Sequence, residues 1–120
     1  MSHWIDGGIN IAMKVPIHQV DATLAFYRDT LGLEQITGPG DAIGFRHGPN
    51  QLWIDPIAGC THAEVWLELF TPDFPEAAEK LAKAGVVRND GIEKLGPDFR
   101  GGWFFNPAGI VHLVREPDAW

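Results

Sequence analysis

Two stretches of the chain obey one alternation. INIAMKVP (residues 9–16) runs into VDATLAFYRDTLG, whose apolar residues recur at helical spacing, and AEVWLELF (63–70) runs into DFPEAAEKLAKAG in the same way. Neighbouring side chains of a strand face opposite sides, whereas a helix gathers residues three and four apart onto one stripe. The alternation therefore predicts Ile9, Ile11, Met13 and Val15 turned toward the first helix, with Asn10, Ala12 and Lys14 turned away. In the later strand Ala63, Val65, Leu67 and Leu69 face inward. His62, Glu64, Trp66, Glu68 and Phe70 take the opposite side. The helical stripes are Val20, Leu24, Tyr27 and Leu31, then Phe74, Ala77, Leu81 and Ala84.

The helix ends carry their own signals. Asp73 and Glu76 have the spacing of a capping box, and Pro75 sits in the first turn, where its missing N–H costs nothing. Gly32 and Gly85 each follow a helix, where a left-handed residue closes the last turn. Short strand-like runs follow each helix: LEQIT, AIGFRH and QLWID, then VVRN, GWFF and IVHLV, separated by turns such as TGPGD, HGPN and FNPAG. Each half reads strand, helix, strand, strand, strand. The expected organisation is one domain, 1–120, with repeat one at about 9–56 and repeat two at about 62–116. The longer GIEKLGPDFRGG stretch reads as a loop carrying Phe99 and Arg100.

Composition narrows the function. With 120 residues, 45% of them hydrophobic, the chain can bury one sizeable core. A formal charge of −7 without a basic run argues against nucleic acid, which binds through counterion release to a basic surface. An acidic surface attracts cationic ligands. Cys60 is the only cysteine, which excludes an intramolecular disulfide and a thiolate cluster. MSHWIDGG lacks the features of a signal peptide and no apolar run approaches a membrane span, so the expectation is a cytoplasmic protein without a membrane partner. No GxSxG-like elbow and no phosphate-cradling glycine loop is present.

NIAMKVP…VDATLAFYRDTLGL resembles the opening of the vicinal-oxygen-chelate superfamily (the glyoxalase, bleomycin-resistance and extradiol dioxygenase type). FFNPAGIVHLV resembles that superfamily's last hairpin. The resemblance covers nearly the whole chain and implies an α+β fold of two βαβββ repeats forming a curved, incompletely closed barrel. It also implies a homodimer with small-molecule cups. Enzymes of the superfamily hold a divalent metal with His, Gln or Glu from the first and last strands of each half. Carried over residue by residue, those positions fall on Ala12, on Trp66 with Glu64 one alternation earlier, on Gln51 and on His112. Ala12 and Trp66 cannot ligate, which leaves Gln51, Glu64 and His112 as weak metal candidates.

The leading expectation is a small-molecule-binding protein resembling the antibiotic-sequestering members, its ligand held in an aromatic and carboxylate-lined cup without a strong metal site. The ligand-binding candidates are Gln51, Trp53, Trp66, Trp103 and Phe105, because aromatic rings offer stacking walls. The alternative is a metal-dependent lyase, isomerase or dioxygenase, with Glu64, Glu68 and His112 as candidate catalytic groups. Lys14, on the same side, is expected to pair with Glu64 or Glu68.

Overall fold

The structure, a computed structural model, describes residues 3–119. They fall into two compact units: Ile9–Trp66, and a terminal unit that joins residues 3–8 to residues 67–119. The strands are β1 (Asp6–Gly7), β2 (Asn10–Pro16), β3 (Gln35–Thr37), β4 (Ile43–His47), β5 (Asn50–Ile57), β6 (Glu64–Phe70), β7 (Val87–Arg88), β8 (Gly101–Phe105) and β9 (Val111–Arg115). The helices are α1 (Val20–Ala25), which continues as a π-helical turn over Phe26–Thr30, and α2 (Phe74–Lys83). Every strand-like run in the sequence becomes a strand. β1 is the one addition, and its two residues are too few to show an alternation.

In the Ile9–Trp66 unit the strands pair in the order β3, β4, β5, β2 and the first residues of β6. β2 and β5 are parallel and the other pairs antiparallel. The sheet does not close on itself. Val15, Phe45, Leu52 and Ile54 are buried, and Ile11, Met13, Val20, Leu24 and Tyr27 pack against them. The expected stripe of α1 holds as far as Tyr27. Leu31 is instead half exposed (50%). The π turn is the reason: the Leu31 N–H donates to the Phe26 carbonyl, five residues back, so the last turn is wound wider and later residues rotate off the stripe. Leu33 packs in its place. Gly32 closes the turn at φ 69°, as expected of a residue with no Cβ. Ile9, expected to face the helix, precedes β2 and is 43% exposed.

In the terminal unit β1 runs antiparallel to the end of β6, β6 parallel to β9, and β8 antiparallel to both β9 and β7. Ala77, Phe104 and Val114 form its buried centre, with Leu69, Phe74, Ala78 and Leu81 around them. α2 begins with one half of the expected capping box: the Asp73 carboxylate accepts from the Glu76 N–H at 3.2 Å, whereas the Asp73 N–H donates to Thr71 Oγ1 and the Glu76 carboxylate pairs with Lys80. Ala84 lies at the exposed helix end, and Ala78 packs instead. Of the four residues expected inward on β6, only Leu69 packs. Val65 and Leu67 are 38% and 37% exposed, and Ala63 lies before the strand. Alternation assigns a face but not how far along the strand a helix covers it.

One buried ion pair organises this unit. The Arg115 Nε donates to the Glu68 carboxylate at 2.8 Å, with both side chains almost wholly buried. The guanidinium also lies 4.6 Å from the Phe70 ring centre and donates to the carbonyls of Glu116 and Pro117. Gly8 abuts the pair: its N–H donates to the Glu68 carbonyl, and a Cβ there would fall 2.6 Å from Glu68 Cγ. Nearby, Glu116 accepts from Arg100 and from the Phe74 N–H at the start of α2. These hydrogen bonds, the Arg100 one foremost, hold its carboxyl below the ordinary glutamate range.

Two outcomes follow from these contacts. Glu68→Ala strands a buried guanidinium and should lower unfolding free energy by about 3–5 kcal/mol, read from urea denaturation. Because folding depresses the Glu116 pKa, its stabilisation is complete at neutral pH and disappears as pH falls below the ordinary glutamate value and through the depressed one. Glu116→Gln should therefore melt below wild type at pH 7, with the gap closing in acid.

Candidate ligand-binding face

The face of the Ile9–Trp66 unit turned away from α1 is set by cross-strand register. Gly44 pairs with Trp53, Trp53 with Ala12, and Ala12 with Trp66, so β4, β5, β2 and β6 contribute one row. On one side of it lies a charged row, Asp55, Lys14 and Glu64, and on the other Arg46, Gln51 and Asn10. Residues directly opposite one another share a face of the sheet. Gln51, Trp53, Glu64 and Trp66 of the sequence candidates thus stand on one face of one unit.

Trp53 is seated there. A Cβ at Gly44 would come 2.7 Å from Trp53 Cε3 and 2.8 Å from the Leu52 carbonyl oxygen, and one at Gly38 would come 2.9 Å from Trp53 Cη2. The indole rests where only hydrogen atoms leave it room. Its Nε1–H donates to Asn10 Oδ1 at 2.8 Å, which fixes its orientation, and the side chain is half-buried. Among the described residues no aromatic ring or cation is stacked on it. Sequence reasoning found the ring but missed its seat. The signal was present, since a glycine inside a strand run, as in AIGFRH, marks close approach by another group.

Trp66 is differently engaged. Its Nε1–H donates to Glu64 Oε2 at 2.9 Å, and the Lys14 ammonium lies 4.2 Å from its ring centre. Lys14 is 5% exposed and forms an ion pair with Asp55, a partner the sequence reading did not name. Gln51 is half-buried, and among the described residues nothing hydrogen-bonds its carboxamide.

The remaining candidates belong to the terminal unit. Glu68 is the buried partner of Arg115. Trp103 is 5% exposed and donates its indole N–H to the Glu93 carbonyl, while Asp90 accepts from its backbone N–H. Burial pushes the Asp90 carboxyl up, but the Arg88 hydrogen bond and that N–H together outweigh it and leave the group below its ordinary value. Phe105, half-buried, lies between Val87 and Val111 in the sheet. Of the loop residues, Phe99 lies against Gly101 and Arg100 pairs with Glu116.

His112 corrects the expected placement. It pairs with Leu67 on one side and Phe104 on the other, so it shares the face of the Phe104–Val114 core and not that of Trp103. Its Nδ1–H donates to the Ile110 carbonyl at 3.0 Å. IVHLV is apolar at both parities, so alternation alone could not choose the face.

Among the described residues no three His, Cys, Asp or Glu side chains converge. On the face itself Ala12 offers no donor, Asp55 is held by Lys14, and Glu64 accepts from Trp66. Gln51 offers a carboxamide oxygen on the same face, and a divalent ion is commonly held by three or more convergent donors. The terminal unit also has a cavity of about 410 Å³ beside the start of α2, lined by Trp4, Thr71, Asp73, Glu76 and Lys80 among others. Its charged groups are engaged with one another: Lys80 pairs with Glu76 and lies 5.1 Å from the Trp4 ring centre. None of the sequence candidates lines it. No helix in the described residues is long and apolar enough to cross a membrane.

No family model and no curated protein matches the chain. Solved structures do. A Mn(II)-bound glyoxalase from Novosphingobium aromaticivorans superposes with a TM-score of 0.67 at 18% identity, over 96% of this chain and 40% of that one. This chain thus spans well under half the length of that glyoxalase. A methylmalonyl-CoA epimerase from Mycobacterium tuberculosis gives 0.61 at 14% identity, over 98% and 91%. A glyoxalase/bleomycin resistance protein/dioxygenase superfamily member from Vibrio splendidus 12B01 gives 0.54 at 10%, over 91% and 99%. At these identities the likeness is one of fold.

The glycine seat can be tested directly. Gly44→Ala forces a methyl group against a ring and a carbonyl, and should cost about 1–3 kcal/mol in chemical denaturation. It should also shift tryptophan emission as Trp53 is displaced.

Proposed function

On the glyoxalase/bleomycin-resistance fold that this chain shares with those structures, we propose a small-molecule-binding protein that holds a flat ligand against Trp53. The observation that carries the reading is the seat of that indole: two glycines beneath it, an Asn10 acceptor fixing its direction, and, among the described residues, no ring or cation stacked on it. A ring immobilised in advance loses little entropy when a ligand stacks on it, and that is how a shallow face gains affinity.

The chemistry of the face favours holding a ligand over transforming it. Lys14, Asp55, Glu64 and Trp66 satisfy one another, so none is poised as a nucleophile or a proton carrier. Ala12, between the two tryptophans in the register, puts only a methyl group on the face there. The chain's charge of −7 adds a general attraction for cations.

A thermal-shift screen of flat aromatic compounds, neutral and cationic, tests this reading. Ligands that bind the native state should raise the melting temperature by mass action. Trp53→Ala should weaken their binding by about 1–3 kcal/mol in titration calorimetry. Affinities unchanged in that variant would remove Trp53 from the site and end the proposal.

A further inference from the structure

We infer that the ligand carries an amide-type edge, an N–H donor beside a C=O acceptor, which pairs with the Gln51 carboxamide; this rests on Trp53 being the stacking platform. Gln51 stands two residues before Trp53 on the same side of β5, and the register places it opposite Asn10 on β2 and Arg46 on β4. Asn10 accepts the Trp53 indole N–H, so the pyrrole edge of the platform points toward the row that holds Gln51. A planar molecule lying on the indole therefore presents an edge to that row.

The other polar groups of the row are already engaged. Asn10 Oδ1 is taken by Trp53, and Arg46 is turned to Glu34 at 3.2 Å. The Gln51 carboxamide, half-buried, is left without a hydrogen-bond partner among the described residues. A carboxamide offers an acceptor oxygen and donor hydrogens in one plane. Covering it with a ligand that returns neither bond costs the desolvation of both groups, whereas a lactam, a cyclic imide or a ring carboxamide returns both. Sites of this kind discriminate strongly against analogues that lack the matching group. A charged edge fits less well, because the charged row on the far side of Trp53 is internally paired.

The test uses a matched pair of probes, isoquinolin-1(2H)-one and isoquinoline, which share a bicyclic ring and differ in the lactam edge. Calorimetric titration of wild type should show the lactam binding about 10-fold or more tightly. In Gln51→Leu, its fold checked by circular dichroism, the lactam's affinity should drop to that of isoquinoline. Trp53→Ala should weaken both probes together. Equal affinities in wild type, or a lactam advantage that survives Gln51→Leu, overturns the edge while leaving the platform standing. Loss of neither probe's affinity in Trp53→Ala overturns the platform, and absence of binding by both probes at millimolar concentration overturns the two together.

Discussion

Backbone pairing of β2 with β5 on one flank and β6 on the other decides which side chains of the Ile9–Trp66 unit become neighbours. A slip of one residue would exchange the two faces of a strand, sending Ile11, Met13 and Val15 to the outside and Ala12 and Lys14 into the core. The Val15–Phe45–Leu52–Ile54 cluster opposes that slip, because it is the one arrangement that keeps these aliphatic and aromatic groups from water. The row Gly44, Trp53, Ala12 and Trp66 is thus a by-product of core packing on the other side of the same sheet. Within that row the glycines and Asn10 hold the Trp53 ring, and Glu64 and Lys14 hold Trp66.

Charged groups in this chain are spent on architecture. The Glu68–Arg115 pair lies almost wholly out of solvent, and Lys14 is buried between Asp55 and the Trp66 ring. A buried pair is costly to desolvate and more costly still to break, so its presence specifies an arrangement more than it adds stability. Glu64 and Glu68 resemble paired carboxylates in the sequence. In the structure one is exposed and accepts an indole N–H, while the other is buried against a guanidinium.

Much of the fold was legible because alternation and helical spacing are local and strong. Asp73, Pro75, Gly32 and Gly85 marked the helix ends through backbone requirements that few residues meet. Illegible features depended on information that no short window contains. Whether Leu67 is covered depends on the reach of α2 beyond Leu69, and the widening at Leu31 on a single extra residue in a turn. His112 lies in a run apolar at both parities, so its face was settled by its partners Leu67 and Phe104. For the site, the tryptophans were visible, but the distinction between Trp53 and Trp66 was not. It turned on Gly38, Gly44 and Asp55, residues that acquire meaning only when strands come together.

The two repeats have furnished corresponding faces in opposite ways. One carries Trp53 on a glycine seat, and the other has filled its own with Trp103 and an internal ion pair. The same strand order therefore tolerates a ring on a glycine seat in one unit and a buried charge pair in the other, because each face is decided by its own cross-strand neighbours and not by the sheet that carries them.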